Sequence, residues 1–332
     1  MYIQQAILHI LDKDSGNLLV SEHVMDLSDV LVREYINKLI KKVSHSDIKA
    51  GSLTQEAYIY HYVQNEQHSF IEKSIDLANK IYDIIAPAEE IPAADYVFFE
   101  ARDDEEAAWF GFIRLDYSSQ YTHFLDAQAG ITNQLVRHNA IFPSATRKPT
   151  EAFLLNVTTG EYQLLEKRYV IEGTKQLYLS EQVLRIEPPE AAPQQIKQIK
   201  KVITQVAKQF DEPTYEVLAS AQQIIYEQLE EEHVIESEAV LEQVFQHNET
   251  ARMTACNLAQ ERELPSKIAV NNIPKYEKKY SKQKFKLANG IEITIPAELY
   301  GNRDVVEFVN NPDGSISVLI KNVEDITNRF NG

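Results

Sequence analysis

The chain has one cysteine, ten glycines and no apolar run approaching the roughly 20 residues that cross a bilayer. A lone Cys256 excludes an internal disulfide framework and any multi-cysteine metal site. Scarce glycine goes with the absence of G-x-x-x-x-G-K-[ST] and G-x-G-x-x-G phosphate cradles. H-E-x-x-H, G-x-S-x-G and C-x-x-C are missing too. Catalytic groups also assemble from distant positions, so missing motifs do not exclude catalysis. The reading is nonetheless a binding protein, not an enzyme, without a cofactor or metal. The start, Met1-Tyr2-Ile3-Gln4-Gln5, lacks the basic region, apolar run and small-residue site of a secretory leader. A cytoplasmic location and no membrane partner are expected. Basic residues are also short: 33 against 50 acidic ones, a net charge of -17. A protein built only to coat a polyanion would be basic, because its affinity comes from neutralising phosphates.

Apolar residues make up 44% of the chain and charged ones 25%, enough to bury sizeable cores. With 332 residues, two or three units are expected. The patterns indicate an α+β fold: an N-terminal antiparallel sheet with packed helices over 1–187, a central helical unit over 188–265, and a small β-rich unit over 266–332. Ala6 to Leu11 reads as a strand with both faces partly apolar, followed by the turn Asp14-Ser15-Gly16-Asn17 and a return at Leu18-Leu19-Val20. Helices are expected from Asp26–Ser28 to about Val43 and from Gln67 to Ile85. Tyr96–Phe99 and Ala107–Leu115 flank the acidic loop Asp103–Glu106. Further strands fit Thr122–Leu125, Gly130–Arg137, Ala152–Val157 and Tyr162–Leu165. Glu187–Pro193 is proline-rich and reads as a linker. Apolar stripes at helical spacing then run from Ile196 to Phe210 and from Val217 to Leu229. Ile291–Ile295, Val305–Val309 and Ile316–Ile320 close the chain as strands.

Charge is unevenly spread. Residues 1–187 hold 17 basic against 28 acidic residues (net -11), 188–265 hold 6 against 14 (net -8), and 266–332 hold 10 against 8 (net +2). The acidic loop Asp103–Glu106 reads as a solvated hairpin tip, since carboxylates alone lack the ligand spacing of a calcium loop. Cys256 reads as a packed thiol beside Ala255, Leu258 and Ala259. A helix-turn-helix reading of 193–262 is disfavoured by Glu230, Glu231, Glu232, Glu236, Glu238 and Glu242, which repel phosphate. A surface for a homodimer or another protein partner suits that unit better.

The candidate nucleic-acid site is Lys275 to Lys286, with six lysines and one glutamate. Lys275, Lys278, Lys279, Lys282, Lys284 and Lys286 attract phosphate without regard to sequence. Tyr276, Tyr280 and Phe285 are interleaved and offer rings that stack on unpaired bases. The lack of arginine argues against bidentate reading of guanine, so specificity should be low. The competing reading is a solvated linker or an edge strand that lysine keeps from pairing with other sheets.

Ala6-Ile7-Leu8-His9-Ile10-Leu11-Asp12, the following Leu18–Glu22 and the next helix resemble the start of the 37-kDa bacterial nucleoid-associated protein family. Gly290-Ile291-Glu292-Ile293-Thr294-Ile295-Pro296-Ala297-Glu298-Leu299-Tyr300-Gly301 and the strands ending at Ile320 are similar to it as well. The resemblance implies association with the nucleoid, binding of double-stranded DNA with RNA as a further ligand, and contact with DNA-handling proteins such as type II topoisomerases. It carries over no catalytic residue and assigns no DNA contact to the lysines, whose role rests on charge alone. Three readings follow. One is a nucleoid protein that touches DNA through 275–286. The second is an acidic adaptor that binds DNA-processing enzymes without touching DNA. The third is a metal-dependent nuclease, supported only by abundant carboxylates.

Overall fold

In a computed structural model, residues 1–126, 131–325 and 327 are described; the expected strand start at Gly130 lies outside them. The chain divides into two compact units, one ending at Ala191 and the other beginning at Ala192. The fold is α+β.

The first unit is built on strands β1 (Tyr2–Asp12), β2 (Asn17–Leu19), β3 (Lys49–Ser52), β4 (Ala94–Arg102), β5 (Ala108–Asp116), β6 (Ser118–Asp126), β7 (Thr132–Ile141), β8 (Ala152–Asn156) and β9 (Glu161–Leu165). Seven of them form one antiparallel sheet in the order β2-β1-β4-β5-β8-β9-β3. The sheet is covered on both faces, which is why its strands read as near-continuous apolar runs. Phe98, Phe110, Phe112 and Phe153 face α2 (Tyr58–Gln64) and α3 (Phe70–Ile85). Their neighbours Val97, Phe99, Ile113 and Leu154 face α1 (Val30–Ser44) through Ile36, Leu39, Ile40 and Val43. Gly111 of β5 leaves no room for a side chain: a Cβ there would lie 2.7 Å from the Phe153 carbonyl on the neighbouring strand β8.

Local chemistry sets the helix starts. The Asp29 carboxylate accepts from the Leu31 and Val32 amides, so α1 begins just beyond the expected Asp26–Ser28 cap. Ser69 and Glu72 make a capping box at α3. The short α2 was not expected; seven residues give too little periodicity to stand out. Strands β6 and β7 form a separate two-stranded hairpin that leaves Tyr121, Phe124, Leu125 and Leu135 exposed. A small hairpin of β10 (Tyr169–Ile171) with β11 (Thr174–Gln176) and a π-helix, Leu179–Leu184, complete the unit.

The second unit contains α4 (Ala192–Gln209), α5 (Thr214–Glu231), β12 (Val234–Glu236), α6 (Ser237–Val244), α7 (Glu249–Glu261), β13 (Lys267–Ala269), α8 (Ile273–Tyr280), β14 (Lys282–Lys286), β15 (Glu292–Pro296), α9 (Ala297–Tyr300), β16 (Val306–Asn310) and β17 (Ile316–Ile320). Strands β12–β13, β14–β15 and β16–β17 are antiparallel pairs. The sequence boundary at residue 265 falls inside this unit. Ile268, Val270, Tyr276 and Tyr280 share one core with Ile199, Ile203, Ile225 and Leu241 of the helices.

Candidate nucleic-acid interface

The expected basic stretch folds as helix α8 followed by strand β14. Asn272 caps α8 by accepting from the Lys275 amide, and Pro274 occupies the first turn. Tyr276 and Tyr280, one helical turn apart, point inward and are each 2% exposed, while Lys275, Lys278 and Lys279 are exposed. In β14 the two-residue period does the sorting. Lys282, Lys284 and Lys286 are exposed, Gln283 is buried and donates to the Ala219 carbonyl at 2.9 Å, and Phe285 packs on Tyr300 and Phe308. The Gln222 amide of α5 ties helix to strand by donating to the Tyr280 and Lys282 carbonyls at 3.1 and 2.9 Å.

Burial corrects one expectation. Tyr276 and Tyr280 do not offer rings for base stacking, because the core takes both of them. They hold lysines instead. The Lys279 ammonium lies 5.5 Å from the Tyr276 ring centre and 5.3 Å from that of Tyr280, and Lys275 lies 5.5 Å from Tyr276. Phe285 is only partly buried.

A second ammonium over Tyr280 comes from a helix outside the expected site. Lys200 of α4 stands 5.7 Å from that ring. Burial, and then the nearby Lys279 charge, hold the Lys200 pKa below the ordinary lysine value, so the α4 and α8 lysines feel one another. Lys197, Lys201 and Lys208 are exposed on the same side of α4, opposite the buried Ile196, Ile199, Val202, Ile203 and Val206. With Thr204 and Gln205 the four lysines line a shallow depression of about 440 Å³. Arg262, the residue that follows α7, donates to Gln205 there at 2.6 Å. Among the described residues, Lys197, Lys200, Lys201, Lys208, Lys278, Lys279, Lys282 and Lys284 make no ion pair with a carboxylate. Lys286 lies 3.7 Å from Glu292 on the adjoining strand.

The lysine face of α4 was hidden in the sequence because a net of -8 over 188–265 averaged it away. The signal was present: no acidic residue stands between Ala191 and Phe210. The phosphate repulsion expected of 193–262 therefore applies to its glutamate-rich middle and not to its first helix.

Two other clusters bring ionisable groups together. In the first unit Arg114 is fully buried and donates to Asp116, Glu151, Tyr96 and the Pro92 carbonyl at 2.8, 3.2, 3.3 and 2.6 Å. Tyr178 donates to the same Glu151 oxygen at 2.6 Å. Burial opposes the Arg114 charge, but the Tyr96, Glu151 and Tyr178 oxygens outweigh it and raise its pKa. Burial also pushes the Glu151 carboxyl up, against the pull of Arg114. Both side chains are 0% exposed, so this network braces the sheet rather than meeting a substrate. In the second unit Glu238, Glu242 and Cys256 bring their ligand atoms within 4.8 Å of one another. Burial and the two carboxylates raise the thiol pKa, the opposite of what a thiolate ligand needs. The acidic loop Asp103–Glu106 is a turn in which Asp103 accepts from the Glu105 and Ala107 amides and the Trp109 indole at 2.9–3.0 Å. Its carboxylate is already engaged in the turn.

A family model described as nucleoid-associated protein YejK, NA37, matches residues 7–327, nearly the whole chain. The chain belongs to this family. No curated protein matches it. Family membership supports a nucleoid-associated role, in keeping with the resemblance read from the strings at the two ends of the sequence. Among the described residues no helix is long and apolar enough to cross a membrane.

Proposed function

We propose that this protein binds DNA directly, and RNA by the same contacts, through a lysine surface made by α4, α8 and β14. The observation that carries the reading is α4: four lysines on one helix face, no acidic residue in that helix, and Lys200 close enough to Lys279 to lower its pKa. Edge protection accounts for Lys282, Lys284 and Lys286 on a strand, but a helix has no edge to protect. Lysines bind phosphate as point charges, so specificity is low and salt dependence steep.

The test is fluorescence anisotropy with a labelled mixed-sequence duplex over a salt series. Replacing Lys197, Lys200, Lys201 and Lys208 with Gln lowers affinity at least tenfold and flattens the slope of log K against log salt by about 0.9 per lost phosphate contact. The set Lys278, Lys279, Lys282 and Lys284 to Gln does the same. If both sets bind as wild type does, the surface is wrong.

The adaptor reading keeps one supporting observation, the net charge of -11 over 1–187. It assigns the first unit to protein partners, including type II topoisomerases, by complementary charge. Recovery of a purified topoisomerase on the immobilised chain after nuclease treatment supports it, and loss of capture on that treatment refutes it. A homodimer would cover the apolar residues left exposed on the β6–β7 hairpin. Sedimentation as a monomer at micromolar concentration refutes that assembly.

A further inference from the structure

Beside the lysine surface the second unit holds a cavity of about 510 Å³. That is within the roughly 300–1,000 Å³ of pockets that take small organic ligands. Three of its walls are aromatic: Tyr215, Phe285 and Phe308. Phe308 packs against the other two with ring centres 5.6 and 5.1 Å apart. Phe285 has Tyr300 stacked on one side at 5.7 Å, yet still forms part of the wall. Lys200, Lys284 and Lys286 line the same cavity, and among the described residues no carboxylate lines it. Aromatic walls with cations beside them are complementary to a flat ring that carries phosphates on its flanks.

We propose that this cavity takes an unpaired nucleobase of single-stranded DNA or RNA, with the neighbouring phosphates on Lys200, Lys284 and Lys286. The proposal rests on the lysine surface being a nucleic-acid interface and adds a preference to it. A base inside a duplex is stacked and paired and cannot enter a cavity of this size. A duplex therefore uses the lysines alone, and a single strand uses lysines and rings together. An apolar segment bearing acidic residues is the other chemistry that the walls would tolerate. The clustering of three aromatic rings favours the base, since every base has a face to stack.

The experiment measures anisotropy of fluorescein-labelled 15-nucleotide oligodeoxythymidylate, its uridylate counterpart and a 15-base-pair duplex with the full chain. Phe285→Leu keeps an apolar wall and removes the ring. It is expected to weaken binding of the single strands about tenfold, in line with the loss of one base–aromatic stack, and to leave duplex binding within about twofold. Ala288→Ile, at an exposed position on the cavity wall, narrows the cavity without removing a packed side chain and is expected to act in the same direction. It decides the matter if Phe285→Leu does not fold. The deoxythymidylate and uridylate arms separate DNA from RNA, and a selective loss in either supports the site. Unchanged single-strand affinity, or equal losses for single strand and duplex, overturns it. Tighter binding of a labelled alternating Leu-Glu peptide than of either oligonucleotide also overturns it. The lysine reading fails separately, and only if duplex affinity survives both lysine sets.

Discussion

The two units treat charge in opposite ways. The first unit buries its strongest cation: Arg114 sits at 0% exposure with four acceptors around it. The second displays its lysines: eight of them on α4, α8 and β14, all exposed except the half-buried Lys200, have no carboxylate partner among the described residues. Buried charge must be matched because desolvation costs several kcal/mol per ion. Exposed lysines cost almost nothing to fold and remain available to an anion. Arg114 is therefore assigned to stability, and our proposal assigns the lysines to binding, although sequence presents both as basic residues.

Arg114→Met is the largest way to break this contrast. It strands Glu151 and should cost about 3–5 kcal/mol in urea unfolding, while Arg114→Met combined with Glu151→Leu recovers much of the loss. A cost below about 1 kcal/mol for the single change would mean that the network does not brace the sheet.

His9 gives the next effect. It is fully buried, accepts from the Ser21 amide on Nδ1 at 3.0 Å and donates from Nε2 to Ser74 at 2.9 Å. Those partners fix a neutral tautomer, and burial lowers its pKa from 6.5 to about 4. The unfolded chain then binds a proton that the folded one refuses between these values, so stability falls as pH drops from 6.5 to about 4. The fall attributable to this group is about 2–3 kcal/mol. His9→Gln, followed by urea titrations at several pH values, should show less acid sensitivity by that amount; an unchanged pH profile would acquit His9.

At the other end of the scale, Glu292→Gln removes the exposed Lys286 partner and should change stability by less than about 1 kcal/mol. Replacing Lys197, Lys200, Lys201 and Lys208 together by Gln should leave stability within about 0.5 kcal/mol per site while duplex affinity collapses. If thermal melting shows that this set unfolds the second unit, the lysines are structural and the contrast fails.

Much of the fold was legible. The alternation in Ala6–Leu11, the turn at Asp14–Asn17 and the stripe from Ile196 to Phe210 are local patterns, and each became the element it announced. The residues of α8 carried a charge signal so strong that their inward pair, Tyr276 and Tyr280, read as surface rings. Helical spacing at i and i+4 was the clue to their burial. The α4 lysines were hidden for the opposite reason, since a window average removes a one-sided pattern.

The sequence by itself determined that one segment, Lys275–Lys286, could favour a polyanion on an acidic chain, and its strings resembled a nucleoid-associated family. It determined the element types as well, because hydrophobic period is a property of neighbours along the chain. Only the tertiary structure decided which basic residues lie together. Lys200 and Lys279 are 79 positions apart in sequence, and they share the Tyr280 ring because two helices pack on one core. Charge acts through space, and the folded core sets the distances.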